Sequence, residues 1–476
     1  MTALADRSRR RWLATVTAGA MFMENLDATA IVTALPAMAA SFGSTAVATS
    51  LGVTAYLLAA AVLVPLSAWL ADRLGPRDVC CAAMALFVLA SLACGLSDDL
   101  PSFIASRVLQ GAAAALMTPV ARLAVVRGSP KAELMQAVAI MTWPALMAPV
   151  LGPLLGGLLT TYASWRWVFF INLPIGLLGI ALAWRLMPTE TVPQRWPFDA
   201  PGFVLLAGAL VALLSGLGEL ALASPAGQGL VWGLGGLVLG TALGALALRH
   251  ARRAAHPLVG VQAMRVHSFF VTTLSGGLLS RLAISAVPFL LPLMLQVAFG
   301  MSPVAAGALV LAYFAGNIGL KLFTTRLLRR FGFRRVLMVN GGALAASVLA
   351  CAFIAPQTSV WMAAAALVLA GCCRSLQMTA LNSLAFADVP GPDMAAANTL
   401  ASLVQQVSMA AGVAVGALLL NVGPLLQGGS GLARQDFQFA LAGLAALAAL
   451  AVLPYGRLSR EAGAVVSGHG PQAAAQ

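Results

Sequence analysis

Apolar residues fill this chain in runs of about twenty. Short polar or arginine-bearing breaks separate the runs, which fall at 12–36, 50–71, 79–97, 101–124, 137–160, 167–187, 201–221, 229–248, 268–297, 303–325, 335–355, 358–386, 398–422 and 436–455. About twenty helical residues cross the ~30 Å hydrocarbon core of a bilayer. The pattern therefore predicts an all-α polytopic membrane protein of about fourteen transmembrane helices. Its loops are short, apart from one longer basic linker, "LRHARRAAHPLVGVQAMRVHS".

Composition points the same way. Hydrophobic residues make up 60% of the 476 positions and charged ones only 9%, against about 25% charged in a soluble domain. The formal charge of +13 does not point to nucleic acid, because the arginines cluster between the apolar runs. Arg7, Arg9, Arg10 and Arg11, then Arg73 and Arg77, Arg195, Arg249, Arg252 and Arg253, and Arg326, Arg329 and Arg330 fall on one side, while Arg166 and Arg434 fall on the other. Basic residues mark the cytoplasmic side, so both termini are expected there and the helix count is even. The N-terminus looks like a signal peptide, but its apolar run is too long and contains acids; it reads as a retained first helix. The six cysteines lack metal-ligand or disulfide-framework spacing and read as small apolar filler. The four histidines lie outside the runs, so no metal site is expected.

An internal repeat organises the helices. "WLADRLGPRDV" follows the second run and "RLLRRFGFRRV" the tenth, aligning Gly75 with Gly332. "SPKAELMQA" before the fifth run resembles "GPDMAAANT" before the thirteenth. Equivalent features lie eight helices apart, as expected of two six-helix halves with two helices inserted between them. The expected organisation is a bundle over 1–190, two inserted helices and a cytoplasmic linker over 191–267, a second bundle over 268–457, and a flexible cytoplasmic tail over 458–476. Gly236, Gly240 and Gly244 give the eighth helix a small-residue face suited to close packing.

Five stretches carry a family resemblance. "LDATAIVTALP" (Leu26–Pro36), "AWLADRLGPR" (Ala68–Arg77), "RVLQG" (Arg107–Gly111), "LGPLLGG" (Leu151–Gly157) and "WRWVFFINLPIG" (Trp165–Gly176) occur in this order and spacing. Together they resemble the major facilitator superfamily and, within it, the 14-helix drug:proton antiporter branch. Val32 stands where that branch usually has Asn, and Ala68 replaces the first Gly of the loop signature. "RLAISAVPFLLPLMLQ" and "MTALNSLAFADVP" are similar to the MdtD-like group of multidrug exporters. The resemblance implies a major facilitator fold arranged 6+2+6, no cofactor beyond the proton gradient, a chain that works as a monomer in the bilayer of an inner membrane, and small-molecule substrates rather than nucleic acid.

Six ionisable groups stand inside the runs away from their ends, and such a group costs about 2.5–3.5 kcal/mol at a helix centre. Glu24 and Asp27, at i and i+3, share one helix face. Burial and a neighbouring carboxylate both disfavour the ionised form of an acid, so a site holding one proton near neutral pH is possible there. The resemblance assigns proton coupling to Asp27, with Arg107 as its switching partner; a static ion pair between the first and fourth helices is the alternative. Glu24 is a candidate for proton coupling or solute contact, or for a structural pair. Arg281, Lys321 and Arg374 lie on three helices that the resemblance places around a central cavity, with Asn317, Gln377 and Gln405 as further candidates for the solute path. A basic wall suits an anionic or zwitterionic solute, or an anionic metal chelate. Against this, Lys321 can snorkel to headgroups, and the polar residues can equally serve interhelical hydrogen bonds.

Gly152, Pro153, Gly156 and Gly157 permit bending and close backbone approach, and the resemblance reads them as a contact with the other half. Asp72, Arg73, Gly75 and Arg77 stand at the end of the second helix as candidates for an inner gate; Asp72 there can meet a helix N-terminus. Trp12, Trp165, Trp167, Trp184 and Trp361 read as interface anchors. No long loop or nucleophile constellation suggests an enzyme. The expected function is proton-coupled export of small amphiphilic or anionic solutes or drugs by alternating access. The alternatives are an exporter of an organic acid or anionic chelate, or a ligand sensor on the same scaffold.

Overall fold

The structure, a computed structural model, describes residues 2–128, 131–187, 197–222, 229–427 and 432–464. Ser129 and Pro130 of the "SPKAELMQA" repeat element, Arg195, and the tail from 465 onward lie outside the described residues. The regular elements among the described residues are all helical. In order they are α1 (Thr2–Ser41), α2 (Ala46–Thr49), α3 (Leu51–Leu74), α4 (Pro76–Leu96), α5 (Leu100–Gly128), α6 (Lys131–Tyr162), α7 (Trp167–Phe170), α8 (Asn172–Leu186), α9 (Ala200–Leu222) and α10 (Gly229–Ala251). Then follow α11 (His267–Thr273), α12 (Gly276–Leu293), α13 (Pro303–Phe331), α14 (Phe333–Ala352), α15 (Val360–Ala387), α16 (Met394–Gln427), α17 (Arg434–Leu450) and α18 (Val452–Tyr455). Thirteen segments among them are long and apolar enough to cross a membrane. The difference from the expected fourteen is α1: it is 40 residues long, but Glu24, Asn25, Asp27 and its threonines dilute its apolar run.

The chain divides into two compact units. One holds Met1–Ala200 with Ser302–Gly307, and the other Pro201–Met301 with Ala308–Gln476.

In the first unit α6 lies along α1. Gly152 and Gly156 make this possible, because a Cβ on either would overlap Thr29 or the Ala30 carbonyl of α1. These two glycines of the "LGPLLGG" motif therefore pack within their own unit. Trp165 is buried at 6% exposure, with its ring 5.3 Å from that of Phe42. It is a core residue, whereas Trp12, Trp167, Trp184 and Trp361 are exposed, as interface anchors would be.

In the second unit α9 and α10 cross closely. A Cβ on Gly236 would stand 2.8 Å from the Ala212 carbonyl oxygen, and one on Gly240 would stand 2.5 Å from the Leu213 side chain. Val271, Leu337, Leu376, Leu381 and Tyr455 form part of a buried core that joins α11, α14, α15 and α18. The ninth predicted helix is broken. α11 ends at Thr273 and α12 begins at Gly276, with Ser275 between them at φ −107°, ψ −96°. Cys80, Cys81, Cys94, Cys351 and Cys373 are buried and Cys372 is half-buried, in keeping with their reading as filler.

The repeat is visible in backbone geometry. Gly75 joins α3 to α4 at φ +88°, and Gly332 joins α13 to α14 at φ +73°. These conformations are nearly exclusive to glycine. A second correspondence lies inside the bundles: a Cβ on Gly111 would overlap the Tyr56 carbonyl oxygen, and one on Gly371 the Tyr313 carbonyl oxygen. Each unit thus brings a glycine of one long helix against a tyrosine of another.

Candidate functional site

Three features of the sequence build a buried polar cluster in the first unit. Asp27 stands in the middle of α1, with threonines nearby that satisfy themselves on their own helix: Thr29 Oγ1 donates to the Asn25 carbonyl at 2.7 Å and Thr33 Oγ1 to the Ala30 carbonyl at 2.9 Å. Arg107 and Gln110, at i and i+3 on α5, share one face. Gly111 lets α5 approach α3, so the Arg107 guanidinium carbon lies 4.2 Å from the Tyr56 ring centroid.

The result is a nearly closed network. Arg107 Nη1 stands 2.6 Å from Asp27 Oδ2, with both side chains at 0% exposure. Gln110 Nε2 and Asn172 Nδ2 each donate to Asp27 Oδ1 at 2.9 Å. The same two amides donate to Ser91 Oγ, at 2.8 and 3.3 Å. Arg107 Nη1 also donates to Gln110 Oε1 at 2.5 Å, and its Nε to the Gly52 carbonyl at 3.4 Å. Asp27 thus receives three donors, the arrangement that stabilises an ionised carboxylate. Arg107 Nη2 and Asn172 Oδ1 are buried without a partner. A buried ion pair is costly to assemble, and removing one member leaves an uncompensated charge at about 3–5 kcal/mol.

Glu24 lies one turn away, half-buried, and accepts a hydrogen bond from Thr118 Oγ1 of α5. Both expected acids of α1 therefore meet α5. Of the two, Asp27 is the one paired with a cation, Arg107.

The cations of the second unit have different surroundings. Arg281, at 4% exposure, donates from Nη1 to the Thr272 carbonyl at 2.7 Å and from Nη2 to Asn382 Oδ1 at 3.0 Å. It closes the break before α12 by capping the C-terminal end of α11, where a cation is favoured. Arg374 of α15 is half-buried and lies 5.5 Å from the ring centroids of both Tyr313 and Phe314 on α13. Its Nη1 is buried without a partner. Tyr313, Asn317 and Lys321 follow at i, i+4 and i+8 of α13 on one face; Tyr313 is buried, Asn317 half-buried and Lys321 exposed. Gln405 of α16 is exposed. Gln377 is fully buried at 0% and accepts from Asn340 Nδ2 at 2.8 Å, a link between α14 and α15.

At the end of α3, Arg73 lies over the Trp69 ring at 5.3 Å, and Arg77 over the Trp184 ring at 4.4 Å. Arg77 Nε also meets Asp78 Oδ1 at 2.9 Å. Asp72 is half-buried. Pro153 is one of three prolines within α6, and Gly157 lies against the Pro303 backbone inside the first unit, where its Cβ would stand 2.5 Å from that carbonyl oxygen.

Sequence reasoning missed Ser91, Gln110, Thr118, Tyr56 and Asn172. Gln110 and Asn172 stand inside "RVLQG" and "WRWVFFINLPIG", motifs whose order was informative although these two positions received no role. Ser91, Thr118 and Tyr56 left no signal, since such residues occur in many apolar helices.

Comparison with known proteins completes the description. The family profile described as Major Facilitator Superfamily matches residues 17–413. A protein of Salmonella paratyphi A named "Putative multidrug resistance protein MdtD" is 37% identical over 424 residues, covering 89% of this chain and 88% of its own length. Proteins of the same name from Pectobacterium atrosepticum (36% identical, covering 94% of this chain and 96% of the relative) and Cronobacter sakazakii (39%, 86% of each) are similar. Among solved structures, an auto-inhibited POT family peptide transporter superimposes with a TM-score of 0.70 at 17% identity, over 95% of this chain and 97% of that one. A D-xylose–proton symporter gives 0.65 at 13% identity, over 95% and 98%. At these identities the structural matches establish the fold alone.

Proposed function

This chain belongs to the Major Facilitator Superfamily, a family of secondary transporters rather than enzymes, and on that premise we propose that it is a proton-coupled antiporter that exports small amphiphilic, anionic solutes by alternating access. The buried Asp27–Arg107 pair carries this reading. An ionised acid is retained at 0% exposure only where a partner compensates it. An acid whose partner sits on another helix changes its proton affinity whenever that helix moves. Asp27 is the proton carrier, Arg107 the group that expels the proton, and Glu24, bonded to Thr118, a second acid on the same face. The name that its relatives carry, multidrug resistance protein, supports export.

The substrate class rests on the second unit. Arg281, Lys321 and Arg374 lie in its apolar helices, and the carboxylates of α11–α18 stand near helix ends, as Asp436 does in the first turn of α17. Arg281 is committed to the Thr272 carbonyl. Arg374, with its free Nη1 and two flanking aromatic rings, is the best-placed residue to meet an anionic group joined to an apolar body. Asn317, Lys321 and Gln405 are assigned supporting contacts along that path, and Gln377 a scaffold role. Asp72, Arg73, Gly75 and Arg77 form the inner gate, and Gly152, Pro153, Gly156 and Gly157 the close-packed, bendable part of α6 toward its C-terminal end. The protein works as a monomer in an inner membrane, with both termini cytoplasmic.

The test is pH-gradient-driven flux in reconstituted vesicles, with a panel of organic acids, anionic metal chelates and cationic drugs. Asp27→Asn is expected to abolish uphill transport, and Arg374→Ala to weaken flux of anionic members at least tenfold while sparing cations. Equal flux in wild type and Asp27→Asn would overturn the proton assignment. Equal loss of anions and cations in Arg374→Ala would overturn the substrate class.

A further inference from the structure

The cluster around Asp27 holds two buried oxygens that nothing uses, Asn172 Oδ1 and Tyr56 Oη. Asp27 accepts from Arg107 Nη1, Gln110 Nε2 and Asn172 Nδ2, so its three hydrogen-bond partners are all donors. That set suits a carboxylate and opposes a carboxylic acid, whose new O–H must itself find an acceptor. The candidates are few. Tyr56 Oη forms no hydrogen bond with Asp27 or any other group. Gln110 Oε1 already accepts from Arg107 Nη1 and the Cys94 thiol. Ser91 Oγ already accepts from two amides. Asn172 Oδ1 is buried and has no partner. It belongs to the amide whose Nδ2 stands 2.9 Å from Asp27 Oδ1.

We propose that Asn172 is a positioning residue that serves Asp27 in both protonation states: its Nδ2 donates to the carboxylate, and its Oδ1, after the amide turns over, accepts from the carboxylic acid. A primary amide can do this because its two ends are nearly isosteric and differ only in donating or accepting. Gln110 cannot follow, since its oxygen is held by Arg107. The chemistry is one proton transfer: a solvent proton forms an O–H bond on Asp27, that bond breaks when the proton leaves, and no other covalent bond changes. Among the described residues, the charged or titratable groups facing Asp27 are Arg107 of α5, Tyr56 of α3, Cys94 of α4 and Glu24 on α1 itself. α8 contributes the neutral Asn172. An amide that fits both states lets proton uptake proceed without leaving a buried donor facing a donor.

This rests on the reading of Asp27 as proton carrier, and the experiment separates the two. Purified protein in lipid vesicles is titrated by infrared difference spectroscopy, with no transported solute. The carboxylic C=O band of Asp27 is the one missing in Asp27→Asn. In Asn172→Leu this band is expected to move to higher frequency, where an acid whose hydroxyl lacks an acceptor absorbs. Ser91→Ala is expected to leave it in place. Should Asn172→Leu fail to fold, wild-type protein carrying 13C at the asparagine side-chain carbonyl provides a second readout. An asparagine amide band is expected to change with the same midpoint as the Asp27 band and to stay constant in Asp27→Asn. An Asp27 band unmoved by Asn172→Leu, or an asparagine band that stays constant through the titration, overturns the inference alone. Complete absence of an Asp27 band overturns the proton-carrier reading beneath it.

Discussion

Asp27 and Arg107 meet at 2.6 Å with no exposed surface, so each is stable there only because of the other. Arg107→Ala leaves a buried carboxylate with two amide donors and no cation. It is expected to cost about 3–5 kcal/mol, read as a large fall in melting temperature of the detergent-solubilised protein. Replacing both members, as in Asp27→Asn with Arg107→Gln, removes the charges together and is expected to melt closer to wild type than Arg107→Ala. Arg107→Lys keeps the charge but loses the planar group that reaches Asp27, Gln110 and Gly52 while lying over Tyr56; Arg and Lys are not equivalent at such a site. It is expected not to restore uphill flux in vesicles.

At the scale of the element, the glycines distinguish conformation from packing. Gly75→Ala and Gly332→Ala place a Cβ at φ +88° and +73°, at an expected cost of about 1–3 kcal/mol each. Gly111→Ala and Gly371→Ala force apart helices that touch at the Tyr56 and Tyr313 carbonyls, with an expected loss of about 1–3 kcal/mol by overpacking. Gly319 has open space around its Cβ position, so Gly319→Ala is expected to change stability by no more than about 0.5 kcal/mol, or to stabilise its helix slightly. Thermal melting of all five variants checks the set. The same elements show what the sequence made legible. Helix positions followed from run length, because the bilayer fixes how many apolar residues are needed. Asp27 and Arg107 stood out because charge in such a run is expensive. The break at Ser275 was hidden inside an unbroken apolar run, and the role of Arg281 with it: composition does not say whether a buried cation meets a solute or the carbonyl end of a short helix. α1 was legible as a helix, yet its polar content keeps it outside the thirteen apolar spans. Ser91, Asn172 and Tyr56 became visible only once tertiary packing brought α3, α4 and α8 around Asp27.

At the scale of the whole molecule, the orientation in the bilayer sets the direction of transport. The arginine distribution predicts that a fluorescent protein fused after Arg460 is bright and an alkaline phosphatase fused there is inactive; the reverse would place the C-terminus outside. Arg374 of α15, with its free Nη1, predicts a preference for anionic solutes, whereas Asp27 predicts the energy source. That second claim is central, and proton movement tests it most directly. Everted vesicles holding a pH gradient, reported by an internal acid-accumulating dye, receive successive members of the solute panel. The account predicts that at least one transported solute dissipates the gradient through the wild type and leaves it intact through Asp27→Asn. Solute transport without proton movement in the wild type, or equal dissipation through Asp27→Asn, would contradict it.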